Sequence, residues 1–495
     1  MISSITSCAL VGIEPTPVRV ETHVGGGRPA FVVVGLPDAA VREAKERVRA
    51  ALVSSGFPFP SRRVVVNLSP ADLPKGGSAY DLPIALGVLA AAGTVSLPGP
   101  LVALGELALD GAVRGTRGGL GALVVARELG LPCLLPAGAA AEGAGGAGVA
   151  ARVVHSLRHA VAVARGEAPA DPVPPPEERP EEVPDLRFVR GQAVARRALE
   201  IAAAGGHHLL LVGPPGAGKT MLARTLPGIL PLLGAEERHE VALVWAAAGL
   251  PRAGSRTPPF RAPHHSASLA ALVGGGSGLP GPGEASLAHR GVLFLDELGE
   301  FPPHLLDALR QPMEDGRVVV ARRGHTVVFP CRTQVVAATN PCPCGYEGDR
   351  LVACTCTPRQ VARYRRRLSG PLLDRFDLRV LVPRLRVGEL DGPYGEASAA
   401  VRRRVEQARR RQEARGVVNR DLDRGALDGI PWASGALEPL ERAVAGRAVT
   451  ARGWDRVRRV ARTIADLEGA TTVTATHVEE AVVLRRLGRR EAVPA

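Results

Sequence analysis

Aromatic side chains supply only 3% of this 495-residue chain, so its interior has to be built from Val, Leu and Ala. Lysine is scarcer still: Lys45, Lys75 and Lys219 are the only three, and arginine carries nearly all the positive charge. Cysteine is sparse as well. Of seven, four fall between Cys342 and Cys356, which suits a reducing cytosol and a metal site better than a disulfide framework. Long apolar runs are missing, because the Ala/Leu stretch around Ala85–Leu104 is broken by Gly and Pro and cannot span a bilayer. The opening Met1–Thr6 lacks the basic segment of a secretory signal, so a cytoplasmic location without membrane attachment is expected. Acids are in the minority, with 62 basic against 49 acidic residues and a net charge of +13; from Thr357 to Ala495, 29 Arg face 18 Asp and Glu. Such an excess points to a polyanionic partner. The length calls for about two to four domains.

Residues 1–165 read as a small layered domain of strands and helices. Alternation marks strands at Ile5–Val11, Val18–His23, Ala30–Val34 and Arg63–Leu68, and helical spacing marks Asp38–Ser55. An apolar helix at Ala79–Ala92, a strand at Val102–Glu106, a helix at Leu120–Leu129 and a strand at Cys133–Leu135 follow, then a Gly/Ala loop at Ala139–Ala151. The run Val64 to Asp81, with Pro74-Lys75-Gly76-Gly77-Ser78, resembles the core of Lon-type protease domains and their ribosomal-S5-like relatives. In Lon a lysine after a later Gly-Gly-Leu activates the serine. Here Gly118–Leu123 contains no lysine, and a serine without a base is a poor nucleophile. The domain is therefore expected to be non-proteolytic, with Ser78 an ordinary turn or cap residue. Residues 166–184, rich in Pro and Glu, form a linker.

A basic amphipathic helix is expected over Asp185–Gly206, leading into the apolar run before Gly213-Pro214-Pro215-Gly216-Ala217-Gly218-Lys219-Thr220. This is G-x-x-x-x-G-K-[ST] in strand–loop–helix context. Glycines let backbone N–H groups approach phosphate oxygens, and the helix start adds partial positive charge. Lys219 then reaches the β/γ-phosphates and Thr220 ligates Mg²⁺, which makes ATP and Mg²⁺ the expected cofactors. At Gly291–Glu297, four apolar residues end in Asp296-Glu297; Asp296 would hold the metal shell and Glu297 would act as general base. Asn340, at the tip of a strand over Thr333–Ala338, is placed to orient water or sense the γ-phosphate.

Between these motifs, His264 and His265 have no nearby acid or cysteine to complete a metal site and read as a structural or nucleic-acid-contacting loop, while the glycine run Gly274–Gly283 lacks a following Lys-Ser/Thr and reads as a mobile loop. A helix is expected at Pro303–Glu314, then a hairpin whose tip carries Arg322-Arg323-Gly324-His325, either a solvated turn or a DNA contact. Cys342, Cys344, Cys354 and Cys356 offer four thiolates, enough for a structural Zn²⁺. Beyond Arg359–Arg367 the chain reads as helical at Ala400–Arg415, Pro439–Val444, Trp454–Glu468 and His477–Leu487, with most arginines solvated or salt-bridged.

Phosphate loop, Asp-Glu strand, strand-end Asn, Leu372–Asp377 and a helical C-terminal part together resemble AAA+ ATPases. The segments Arg261–His265, Gly283–His289, Asn340–Gly345 and Ala461–Leu467 narrow the resemblance to the ComM/YifB-like, magnesium-chelatase-related group, and it spans essentially the whole chain. It implies a fold of α/β class: a ribosomal-S5/Lon-like α+β domain at 1–165, a linker at 166–184, an AAA+ parallel-sheet core at 185–384 and a helical lid at 385–495. It further implies a hexameric ring, with Arg375 as an arginine finger toward the neighbour and Arg452 as the lid's sensor arginine. The activity implied is an ATP-driven DNA motor, a branch-migration helicase acting on transforming DNA. The alternative is a magnesium-chelatase-type motor subunit remodelling a protein partner. An ATP-dependent protease is disfavoured by the missing lysine.

Overall fold

Alternating apolar positions over Ile2–Val11 and Glu14–Gly25 produce two long antiparallel strands, joined where Gly12 takes φ +65°. The computed structural model describes residues 1–73, 75–143, 151–174, 182–250, 252, 254–276, 280–322, 325–349, 351–368 and 370–486. The first sheet has seven strands, in the order 30–34, 63–69, 14–25, 2–11, 102–103, 133–135 and 151–153. Ile5 and Cys8, at odd and even positions of one strand, enter different cores. Ile5 packs with Leu52, Leu86 and Leu157 from three helices, and Cys8 with Leu123 and Ala140 from the opposite layer.

Two expectations for this part change. Val102–Glu106 is not one strand; Val102–Ala103 stays in the sheet, while Glu106–Leu107 pairs with Val113–Arg114. The Gly/Ala stretch begins with a helix, Ala137–Gly143, and ends in a strand, Ala151–Val153; residues 144–150 lie outside the described residues, as do 175–181 of the linker. Ser78 is not a helix cap, a place taken by Tyr80, and its hydroxyl donates to Glu106.

The second sheet has five parallel strands, in the order 260–261, 292–295, 334–339, 209–212 and 378–381. Its even and odd residues feed two cores. Leu209, Leu211 and Phe294 join Ala198, Val405 and Ile464 of helices Ala193–Gly205, Ser398–Glu413 and Ala451–Glu468. Leu210, Leu293 and Val335 face Phe301, Phe329 and Phe376. The fold is thus α/β, with a parallel sheet at its centre and a helical C-terminal region packed on one side.

The helix expected over Asp185–Gly206 is broken. A short 3-10 turn, Leu186–Phe188, is followed by Gly191 and Gln192 in left-handed backbone (φ +58° and +50°), and the α-helix starts only at Ala193. Gln192 holds the break, donating to Pro383 O at 2.6 Å and to Ala217 O at 3.3 Å. The helix expected at Pro303–Glu314 is likewise two, Pro303–Ala308 and Arg310–Asp315, and the last helix is Ala475–Val483, with Leu487 outside the described residues. The hairpin forms as the β-rich runs predict, Arg317–Arg322 against His325–Pro330. One side of it is not free: a Cβ on Gly12 would stand 2.5 Å from Val327 Cγ1, and Val11 and Ile13 pack into the core that holds Phe329.

Candidate active site

Lys219 opens the helix Lys219–Ile229 directly behind Gly218, whose φ of +89° and that of Gly216 (+75°) shape the loop. A Cβ at either glycine would meet no protein atom within 4 Å, so backbone conformation rather than packing requires glycine there. Gly213 differs, since its Cβ would stand 2.1 Å from Val382 O of the neighbouring strand segment. Lys219 Nζ donates to Gly213 O (2.6 Å), Pro214 O (2.9 Å) and Asn340 Oδ1 (3.1 Å). Burial pushes its pKa down to about 8, against the attraction of Asp296 and Glu297. Thr220 Oγ1 donates to Asp296 Oδ2 at 2.7 Å. Sequence-distant Lys219, Thr220, Asp296 and Asn340 therefore meet at the C-terminal ends of three adjacent parallel strands, where α/β sheets bind ligands. An ammonium, a hydroxyl beside a carboxylate and a helix start form the donor set that a polyphosphate with Mg²⁺ requires, and the residues fit that group.

Glu297 is exposed and follows the strand in left-handed backbone, φ +51°. Its Oε2 lies 3.7 Å from His265 Nδ1, and the His265 ring lies 4.0 Å from that of His264. The expectation that no acid neighbours this histidine pair is corrected: the acid is 32 residues away in sequence and arrives through the sheet. His264 is exposed and His265 half-buried; Arg322 is exposed on the hairpin, and Arg323 lies outside the described residues.

The two motif segments flanking the glycine run clasp one another. Arg261 donates to both carboxylate oxygens of Glu284, at 2.5 and 2.7 Å, and lies over the Trp245 ring. Buried His289 bonds Glu240 through Nε2 (3.1 Å) and accepts the Arg332 N–H at Nδ1 (3.0 Å). Sequence reading missed Gln192 and these pairings, because each joins segments with no local pattern in common. The one signal in the sequence was Gly191 inside the span expected to be helical, a residue that favours a break.

Arg375 and Arg452 are not at this site within one chain. Arg456, one helical turn beyond Arg452, bonds Arg375 O (3.2 Å) and Asp377 Oδ1 (2.7 Å), and Asp377 accepts from the N–H of His208 (3.2 Å). His208 precedes the strand 209–212 and Gly213 follows it, so the four-residue strand separates the two places by about 13 Å. The Arg375 guanidinium is held by Glu314 (2.6 Å), Pro371 O (2.7 Å) and Arg310 O (3.2 Å), while Arg452 is exposed.

The cysteine loop follows Asn340. Sulfur–sulfur distances are 3.4 Å for Cys342–Cys344, 3.7 Å for Cys342–Cys354 and 3.5 Å for Cys344–Cys354, and Cys356 Sγ accepts the Cys344 N–H at 3.3 Å. A tetrahedron with metal–sulfur bonds of about 2.3 Å has edges of about 3.8 Å, so the four thiols fit one metal ion. The loop touches the phosphate loop: a Cβ on Gly345 (φ +86°) would stand 2.5 Å from Pro215 Cδ.

Residues 185–390 match the family described as magnesium chelatase, subunit ChlI. Residues 20–138 match the model "subunit ChlI of Mg-chelatase" and residues 395–485 the ChlI C-terminal model. The chain is 42% identical to the "Uncharacterized protein YifB" of Salmonella typhimurium, over 97% of this chain and 96% of that one. It is 41% identical to the "Competence protein ComM" of Haemophilus influenzae, over 98% and 97%. Identity to the "Magnesium-chelatase 38 kDa subunit" of Chlorobaculum parvum is 26%, over 40% and 52%. With three family models laid along it and near-full-length relatives above 40% identity, the chain belongs to the ComM/YifB-like family of magnesium-chelatase-related AAA+ proteins.

Proposed function

We propose that this protein is an ATP-hydrolysing DNA motor that assembles as a hexameric ring in the cytoplasm. Its work is branch migration during recombination of incoming DNA. The observation that carries the hydrolytic half is the convergence of Lys219, Thr220, Asp296 and Asn340 at the C-terminal ends of three adjacent strands. Bound ATP with Mg²⁺ supplies the transferable phosphoryl group and a charge-neutralising cation. Lys219 and the loop N–H groups bind the phosphates, Thr220 and Asp296 orient the metal shell, and Glu297 takes the proton of the attacking water. Arg375 serves the site of a neighbouring copy as an arginine finger, which agrees with its place at the other end of the strand from Lys219, and Arg452 acts as the lid's sensor arginine. The DNA half is supported by the relative known as competence protein ComM and by exposed Arg322. The cysteine cluster holds one structural Zn²⁺ that braces the loop behind Asn340 against Pro215.

ATP turnover measured without DNA and with single-stranded, duplex, forked and four-way-junction DNA tests this reading. Stimulation is expected, strongest with branched DNA, and binding should weaken steeply with salt. Turnover identical in all five conditions overturns the motor assignment.

A further inference from the structure

Where the N-terminal domain hands over to the Pro-rich connection, three side chains converge that the ATPase reading leaves unused. His155 stands just ahead of Ser156, the N-cap of helix Leu157–Arg165, and His159 lies in that helix's first turn. Spacing of four stacks their rings, with centroids 4.2 Å apart and planes inclined by 28°. Asp171 comes from the chain leaving the domain and is fixed by its own backbone, its N–H donating to Val153 O at 3.0 Å beside the last strand. A single oxygen, Asp171 Oδ2, then faces both histidines, 2.7 Å from His155 Nδ1 and 3.7 Å from His159 Nδ1.

The hydrogen bonding of His159 marks a gap between them. Its Nε2 lies 2.9 Å from Pro169 O, and because a carbonyl only accepts, Nε2 carries the hydrogen. In the neutral ring Nδ1 then presents its lone pair, and that atom is buried without a hydrogen-bond partner. A buried lone pair turned toward a carboxylate oxygen is repulsive unless a cation lies between them. An imidazole whose second nitrogen donates to a backbone carbonyl is also the arrangement found in metal-ligating histidines, where that bond sets the tautomer.

We propose that His155, His159 and Asp171 form a site for a divalent transition metal such as Zn²⁺, and that the bound ion clips the start of the 172–184 connection to the N-terminal domain. The donor atoms already lie within 4.8 Å of one another. Two imidazole nitrogens and one carboxylate oxygen suit Zn²⁺, Ni²⁺ or Cu²⁺ rather than Mg²⁺ or Ca²⁺. His159 Nδ1 binds as it stands. His155 exchanges its Nδ1 proton for the metal by moving that proton to its other ring nitrogen, and its side chain is 65% exposed, so entry from solvent is open. Water completes the shell. By holding Asp171, the ion fixes where the connection toward the ATPase core begins.

The test uses the full chain without an affinity tag, dialysed against low-micromolar Zn²⁺ and analysed for metal per chain, beside His159→Asn, Asp171→Asn and His155→Asn. Cysteine-bound metal is common to all four proteins and cancels. Wild type should hold one ion more per chain than each variant, and Zn²⁺ should slow proteolysis within 172–184 in wild type alone. Circular dichroism and melting identify any variant that fails to fold. Exposed His155→Asn is the variant least able to disturb the fold, so its metal count decides. Equal metal content in wild type and His155→Asn, or Zn²⁺-independent proteolysis of wild type, overturns the site.

Discussion

Glu297 and Lys219 face the same space but do different work, and single substitutions separate them. Lys219→Ala removes the one ammonium among the loop's carbonyls and should abolish nucleotide binding in a fluorescent-nucleotide titration. Glu297→Gln keeps size and hydrogen bonding while losing the base, so binding should persist as turnover falls by about 10²–10⁴-fold. Rapid turnover by that variant would remove Glu297 from the chemistry. His265 was read from sequence as a loop or DNA residue, yet its ring stands 3.7 Å from the Glu297 carboxylate. His265→Ala should change kcat severalfold with ATP affinity unaltered; an effect on affinity alone would place its role elsewhere.

At the scale of elements, the strand Leu209–Val212 is anchored at both ends by groups that composition cannot reveal. At its start His208 is fully buried, and Nδ1 accepts the Val335 N–H at 2.9 Å, which requires the neutral ring. Burial pushes its pKa down to about 3. The unfolded chain therefore takes up this proton near pH 6.5 while the folded chain refuses it. Stability is full above about pH 6.5 and falls by about 1.4 kcal/mol per pH unit below it until the folded pKa is reached. Urea denaturation at pH 7.5 and 5.5 should show this loss in wild type and a smaller one in His208→Asn. Beside His208, burial would raise the Asp377 pKa, but His207 and Arg456 hold that carboxylate well below its usual range. At the strand's other end the cysteine loop leans on the phosphate loop through Gly345. Gly345→Ala forces a Cβ against Pro215 in left-handed backbone, a strain of about 1–3 kcal/mol. It should weaken ATP binding while metal content stays at the wild-type value.

For the whole molecule, the decisive fact is that Arg375 is held a strand's length from Lys219 in the same chain. If neighbours complete each other's sites, Lys219→Ala and Arg375→Ala, each inactive alone, should regain activity when mixed. In a random ring roughly a quarter of interfaces would then pair an intact phosphate loop with an intact arginine. No recovery after verified co-assembly would exclude that arrangement. The same view tempers the charge argument. Arg404 bonds Glu200 and Glu396, Arg415 and Arg462 bond Asp466, and Arg458 bonds Asp428. Several arginines after Thr357 are thus held in ion pairs within and between helices, and a count of arginines overstates the surface offered to DNA.

Local chemistry was readable from the chain alone wherever it depends on contiguous residues. Gly213–Thr220, the apolar run ending in Asp296-Glu297 and the two Cys-x-Cys pairs are legible because a phosphate loop, a strand end and a thiolate cluster each need particular residues at short fixed spacing. Strand alternation in residues 2–69 was legible for the same reason. The break at Gly191-Gln192, the Arg261–Glu284 clasp, the approach of His265 to Glu297 and the meeting of His155, His159 and Asp171 belong to the tertiary structure. The His155, His159 and Asp171 cluster depends on how the chain folds back on the first sheet within 16 residues. The Arg261, Glu284, His265 and Glu297 contacts depend on a register between elements distant in sequence, set by how the apolar faces of a parallel sheet choose their helices. No periodicity within one segment encodes that choice.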